Sequence, residues 1–487
     1  MNLLKIFYIL ICCLTYTILP AQQKPNIIYI YADDLGYNEL GCYGQQKIKT
    51  PNIDRMATEG MQFMQHYSGA PVCAPSRCML MTGKHAGHAA IRGNYELGGF
   101  ADSSERGQMP LPANAFTIAD MLKKAGYTTA LCGKWGLGMN HAPGSPLNHG
   151  FDYYYGYLDQ KQAHNYYPTH LWENDKWDTL GNSFIYVHKR LDSLKATDKD
   201  FDYFKGKVYA PDKITEKAVE FIKKNRNNPF FLYLPYTMPH VSLQVPDAYL
   251  KKFIDLFNET PYYGQNGYAA TKYPRSAYAA LISYLDDQVG IILQAIKNLG
   301  LDENTLIMFS SDNGTTYKAG GVDPFYFESE GKLKGVKMDL YEGGIRMPFI
   351  ARWPNKIAAG KISQTISAQY DIMPTLAELV NQKNISTDGV SLLSELLGKT
   401  KKQPQHEYLY FEYPDRDGEV AIRLNNWKGI KTNIKKNKNA KWQLYNLLDD
   451  VGEKNNVAEQ HPEIIKKLNE IVLKEHHPAI IKEWEMF

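Results

Sequence analysis

The stretch Pro25-Asn26-Ile27-Ile28-Tyr29-Ile30-Tyr31-Ala32-Asp33-Asp34 decides the fold. Apolar, β-branched and aromatic residues follow one another without polar alternation. That is the texture of a strand buried on both faces of a parallel sheet. The run stops abruptly at two aspartates. Adjacent carboxylates repel each other unless a cation lies between them, although a capped turn after the strand would also account for the pair.

Working outward, the same pattern recurs. Residues 127–131 read as a strand that runs into Gly133-Lys134-Trp135-Gly136. Residues 229–234 (PFFLYL) read as one that ends at Met238-Pro239-His240, and residues 305–309 (TLIMF) as one that ends in Ser310-Ser311-Asp312-Asn313-Gly314. Helices fall between them. Thr50 and Pro51 cap and open one that stops at Gly60, and Thr117 with Asp120 has the spacing of a capping box. Residues 212–225 place Ile214, Ala218, Phe221 and Ile222 on one face, and residues 276–299 form a long helix closed by Gly300. Strands alternating with helices predict an α/β fold with a mostly parallel central sheet flanked by helices. Ligands of such sheets bind beyond the carboxyl ends of the strands. Asp33, Asp34, Lys134, His240, Asp312 and Asn313 are therefore expected to converge on one edge.

Past residue 400 the texture changes. Residues 400–405 are a polar linker. Residues 406–413, 419–424, 427–432 and 441–445 read as short antiparallel strands, followed by an amphipathic helix over 462–474. The expected organisation is a signal peptide at 1–21, a catalytic domain over 22–400 and a small α+β subdomain over 401–487. Residues 6–19 are apolar after a single Lys5, with Ala21 as the cleavage residue. An N-terminal membrane anchor is the alternative, and Cys12 and Cys13 lack a convincing lipidation context. Secretion or a periplasmic location is the expectation, without stable membrane insertion.

Composition narrows the function. The 487 residues are 44% hydrophobic and 22% charged, as in a globular chain, with a net charge of +3 that falls to +2 once Lys5 leaves with the leader. That balance is too near zero for a nucleic-acid binder. Cys42, Cys73, Cys78 and Cys132 remain after processing, too few for a disulfide framework, and Cys132 reads as an inert strand residue. The 35 tyrosines suit hydroxylated ligands but also fill cores.

The chemistry centres on Cys73-Ala74-Pro75-Ser76-Arg77-Cys78-Met79-Leu80-Met81-Thr82-Gly83-Lys84. A helix that starts near Pro75 presents a positive dipole end to a thiol or an anion, and Arg77 adds a fixed cation. Asp33, Asp34, Asp312 and Asn313 are hard oxygen donors, suited to Ca²⁺ or Mg²⁺ rather than zinc. With Cys73, Arg77, Lys134, His240 and Lys337 they make a pocket for an anionic tetrahedral group, phosphate or sulfate.

The stretch from Cys73 to Gly83 resembles the signature of the type I, formylglycine-dependent sulfatases. The resemblance extends to Ala32-Asp33-Asp34-Leu35-Gly36, Gly133-Lys134-Trp135, Pro239-His240, Ser311-Asp312-Asn313-Gly314, the run from Tyr341 to Pro348, and Leu444-Tyr445-Asn446-Leu447. It implies an alkaline-phosphatase-like fold and oxidation of Cys73 to formylglycine by a maturation enzyme. One hydroxyl of the hydrated aldehyde would attack sulfur, and the other would expel sulfate. A sulfated serine, lacking that second hydroxyl, could not collapse. It further implies calcium held by Asp33, Asp34, Asp312, Asn313 and the modified Cys73, with Arg77 steadying the diol. Lys134 and Lys337 would neutralise sulfate oxygens. His240 would act as general acid, or only hydrogen-bond sulfate.

Two positions depart from the family pattern. Gly136 stands where a histidine usually assists the diol, and His85, His88 and His141 are nearby in sequence. Lys84 stands where arginine is usual, which keeps the charge but loses the planar fork. For substrate, His164, Asn165, Glu412 and Arg423 are expected to grip the hydroxyls of a sulfated saccharide, a galactose-type unit cut from the chain end. The rival readings are a phosphatase, phosphodiesterase or phosphonate hydrolase on the same scaffold, and a non-catalytic glycan-binding protein.

Overall fold

A computed structural model describes residues 24–98 and 105–487 of the chain. The signal peptide expected over 1–21 lies outside the described residues. Among the described residues there are fifteen strands: β1 (Asn26–Asp33), β2 (Met61–Tyr67), β3 (Thr128–Lys134), β4 (Tyr153–Tyr157), β5 (His170–Glu173), β6 (Lys176–Thr179), β7 (Phe230–Pro239), β8 (Thr305–Ser311), β9 (Arg346–Arg352), β10 (Lys361–Ser363), β11 (Ser367–Ala368), β12 (Leu409–Tyr413), β13 (Glu419–Leu424), β14 (Trp427–Lys431) and β15 (Gln443–Asn446). The first eleven form one sheet, in the order β10-β2-β9-β8-β1-β7-β3-β4-β5-β6, with β11 beside β2.

The four strands read from the sequence are its parallel centre. β1 pairs in parallel with β7 and β8, and β3 with β7 and β4. Every residue of β1 is buried, as its unbroken apolar run requires. Ile28, Ile30 and Ala32 pack on one face with helix Pro274–Asn298 and helix Ala210–Lys224. Ile27, Tyr29 and Tyr31 pack on the other, against helices Cys73–Thr82 and Ile118–Lys124. Among the described residues Pro274–Asn298 is the one helix long and apolar enough to cross a membrane, and 67% of its most apolar window is buried inside the protein. The capping box is formed: Thr117 Oγ1 accepts from the Asp120 N–H at 3.1 Å, and Asp120 Oδ2 accepts from the Thr117 N–H at 3.0 Å.

The sheet is mixed at its edges. β9 runs antiparallel to both β8 and β2, and β5 and β6 run antiparallel beyond β4. Pro348 argues against an internal strand at β9, because proline cannot donate to the ladder. It is accommodated opposite an irregularity in β2 between Phe63 and His66, where the pairing is already interrupted.

β12 to β15 form an antiparallel sheet in sequence order. One face packs on Tyr67, Leu340, Ile345 and Tyr370 of the larger unit, and the other is covered by Leu468 and Ile471 of helix Pro462–Glu475. A buried ionic knot ties the two sheets. Glu342, with no exposure, accepts from Tyr67 Oη at 2.7 Å, Arg346 at 3.2 Å and Lys428 at 2.9 Å. Arg423 donates to Tyr67 Oη at 2.7 Å. Burial opposes ionisation of Glu342, but Lys428, Arg346 and Arg423 hold its carboxyl down at about 2. Removing one member leaves charge stranded without solvent. Glu342→Ala should therefore cost about 3–5 kcal/mol in urea denaturation, and a loss below about 1 kcal/mol would show that the knot does not hold the sheets together.

Candidate active site

β1, β3, β7 and β8 all deliver polar residues to one edge of the sheet. Helix Cys73–Thr82 begins there. Val72 is its N-cap, and Gly83 ends it in the left-handed conformation, φ 65°. Cys73 is 2% exposed, and its Sγ lies 3.6 Å from Asp33 Oδ1 and 3.4 Å from Lys337 Nζ. Burial pushes the thiol up to about 12, against the pull of Lys134 and Lys337. At neutral pH it is a protonated thiol and a poor nucleophile.

Below it three buried carboxylates meet three buried cations. Lys134 Nζ donates to Asp33 Oδ2 at 2.6 Å. Lys337 Nζ sits 2.7 Å from Asp34 Oδ1. Arg77 reaches Asp312 Oδ2 through Nη2 at 2.8 Å, lies 3.4 Å from Asp33 Oδ2, and donates to the Lys134 carbonyl at 2.7 Å. The Ser76 hydroxyl donates to the Asp312 carbonyl and fixes the helix start to the end of β8. Burial works against the charge on Asp33, but the cations Lys134, Arg77 and Lys337 hold it well below the usual carboxylate range. Asp312 is pushed up to about 7 by burial and by the charge of Asp33.

Asn313 donates through Nδ2 to Asp34 Oδ1 at 2.7 Å, yet its buried Oδ1 has no partner among the described residues. An orphaned amide oxygen beside three carboxylates is the donor set of a hard divalent cation. Asp33, Asp34, Cys73 and His240 also group closely enough to share an ion. Gly314 must be glycine for this loop to close, since a Cβ there would lie 1.9 Å from the Gly343 carbonyl oxygen.

Above the cysteine opens a cavity of about 460 Å³, lined by Lys134, Lys337, His164 and His240 among others. His240 Nδ1 faces the Val241 carbonyl, which puts the proton on Nδ1 and leaves Nε2 free, 3.6 Å from Asp34 Oδ2. Burial pushes His240 down to about 4, against the charge of Asp34. His164 stacks on it, with ring centres 5.0 Å apart, and is held well below its usual value by burial and by His240.

The remaining expectations about substrate residues are corrected by placement. Asn165 is turned into the protein: its Oδ1 accepts from the Tyr167 N–H at 3.0 Å and from Gln244 at 3.2 Å. Glu412 is wholly buried between Arg92 at 3.1 Å, Tyr410 at 2.6 Å and His476 at 2.8 Å. Arg423 belongs to the Glu342 knot. None of the three lines the cavity. The turn that follows β12 does, through Asp415 and Arg416, and so do Glu96, Gln160, Lys161, Tyr268 and Tyr317. Of the neighbouring histidines, His85 and His88 pair with Glu475 and Asp388 at the seam to the last long helix, and His141 is exposed. Lys84 joins the same seam, 3.4 Å from Asp388.

Glu412→Gln and Arg423→Lys should accordingly lower the denaturation midpoint while leaving KM for a saccharide substrate within about twofold. A rise in KM of about tenfold at an unchanged midpoint would place them in the binding site.

Comparison with known proteins agrees with this architecture. The family model described as Sulfatase matches residues 25–382, and that of N-sulphoglucosamine sulphohydrolase, C-terminal, matches residues 336–477. The chain is 31% identical to the N-acetylgalactosamine-6-O-sulfatase of Bacteroides thetaiotaomicron, over 93% of each chain. It is 31% identical to the human N-acetylgalactosamine-6-sulfatase, over 80% of this chain and 69% of that one. Among solved structures it superposes on Ps i-CgsB in complex with k-i-k-neocarrahexaose, with TM-score 0.75, 29% identity, and 93% and 94% of the two chains covered. A buried cysteine at a helix start, set over paired acids and cations at the ends of parallel strands, thus belongs to a chain that is a member of the alkaline-phosphatase-like sulfatase family and a sulfuric ester hydrolase.

Proposed function

We propose that this sulfatase is secreted or periplasmic and removes sulfate from a galactose-type unit at the end of a sulfated saccharide, using calcium and a formylglycine made from Cys73. The observation that carries the reading is Cys73 at the floor of a cavity flanked by Lys134, Lys337, His164 and His240. Its volume suits a sugar unit. Support for the substrate class comes from the relatives, named for N-acetylgalactosamine sulfate, and from the neighbour that holds a neocarrahexaose.

The residues fit both groups. Asp33, Asp34, Asp312 and the unpartnered Asn313 Oδ1 would hold calcium, with the modified Cys73 beside Asp33. A divalent charge among these acids favours an anion in the pocket above them. Formylglycine, once hydrated, supplies one hydroxyl to attack sulfur and a second to release sulfate. A maturation enzyme that makes it is the implied partner. The buried cysteine over these acids is the residue that enzyme would convert.

The chain's own residues divide the remaining work. Arg77 is clamped by Asp312 and the Lys134 carbonyl, so its charge is fixed beneath residue 73. Lys134 and Lys337 are both held charged, Lys134 by Asp33 and Lys337 by Asp34, despite burial. They neutralise sulfate oxygens. His240 is neutral in the resting site. The negative charge of an entering ester favours its protonation, and Nε2 then holds the proton that the leaving oxygen needs.

A panel of sulfated monosaccharides and oligosaccharides tests the reading by sulfate release. The matured chain should act on galactose-type sulfates, and Cys73→Ala should lose on the order of a thousandfold in kcat while staying folded. Turnover retained in that variant would assign another nucleophile. By calorimetry, Asp312→Ala should weaken calcium binding about tenfold or more, and an unchanged affinity would remove the metal assignment.

A further inference from the structure

Gly136 carries no side chain, and the space beside it is taken by a residue of the cavity wall. The segment that leaves β4 runs alongside the end of β3: the Trp135 N–H donates to the Tyr157 carbonyl at 2.9 Å, and the Gly136 N–H to the Leu158 carbonyl at 3.2 Å. Asp159 pins the turn by accepting from the Gly107 and Lys161 N–H groups, each at 2.7 Å. The next side chain, Gln160, therefore lies over Gly136. A Cβ at Gly136 would meet Gln160 Cγ at 3.1 Å, Cδ at 3.4 Å and Oε1 at 3.6 Å. Gly136 also has φ +73°, which disfavours any side chain there. The backbone and the packing both reserve the place for Gln160.

Gln160 is 3% exposed and lines the cavity together with Cys73 and Lys134. Its backbone N–H is bonded to Gln108 Oε1 at 3.2 Å, but its Nε2 is buried without a hydrogen-bond partner among the described residues. A buried amide donor left unpaired in a cavity wall is unfavourable unless a ligand completes it. The lysines of the same wall select an anion, and a carboxamide N–H suits an anionic oxygen.

We propose that Gln160 takes the place that Gly136 leaves empty and donates a hydrogen bond from Nε2 to the anionic group held over residue 73 between Lys134 and Lys337. The inference rests on the sulfatase reading and deepens it. A carboxamide in this position differs from an imidazole in one useful respect: it does not titrate, so its grip on the anion is the same across the neutral range.

The test uses inorganic sulfate as the probe and the full chain, saturated with calcium and with Cys73 unconverted. Calorimetry should show that Gln160→Met, which keeps the volume but removes the donor, binds sulfate about tenfold more weakly than the wild type. Gln160→Glu, which places a like charge against the anion, should bind it more weakly still. Gln160→Met should keep the wild-type melting midpoint within a few degrees, since Nε2 has no hydrogen-bond partner among the described residues. Sulfate affinity in Gln160→Met equal to that of the wild type would overturn the proposal, as would a wild-type chain that binds no sulfate. Turnover of sulfated sugars by the matured wild type tests the underlying reading separately, so the two can fail independently.

Discussion

Asp33, Asp34 and Asp312 are held out of water against Arg77, Lys134 and Lys337, and this balance of buried charge governs the rest of the molecule. Charges so deep are tolerated only when paired and hydrogen-bonded, so each must be delivered to a fixed place. Four parallel strands do the delivering. Three of them hand over the acids and Lys134 at their carboxyl ends, the fourth brings His240, and the strand register sets their spacing. The helix that starts at Cys73 is then fastened to this floor by Arg77 and Ser76, so the cysteine cannot move independently of the acids beneath it.

The outer parts of the fold follow from the same demand for fixed geometry. Gly314 and Gly343 approach too closely for a side chain, which locks the loop after β8 against the helix that opens β9. Glu342, one residue earlier, gathers Arg346, Lys428 and, through Tyr67, Arg423. The small antiparallel sheet is thereby bound to the large one, and its first turn brings Asp415 and Arg416 to the rim of the cavity. A single run of sequence near Tyr341 thus serves stability rather than chemistry.

Much of this was legible in the chain. Uniform burial of β1 shows as an unbroken apolar run, and helix boundaries show as Thr, Pro and Gly at their ends. Chemistry at the strand ends could be read because parallel sheets place it there. The antiparallel edges could not: β2 has little β-branched character, and Pro348 hides β9 behind a bulge in its neighbour. Glu412 and Arg423 were misplaced because a strand residue of the second sheet faces either the core or the site, and only packing decides which. The turn beside them, and Gln160 four residues before His164, carry no motif. Gln160 becomes visible only when two loops are seen side by side.

The central claim is that Cys73 is the precursor of the reacting group and not the group itself. Trypsin cuts after Arg55 and Arg77 would release residues 56–77. The mass of that peptide, from protein made together with a formylglycine-generating enzyme and active on a sulfate ester, tests the claim most directly. The account predicts that the thiol is replaced by the aldehyde or its hydrate. An unmodified thiol in a preparation that hydrolyses sulfate esters with full activity would contradict it.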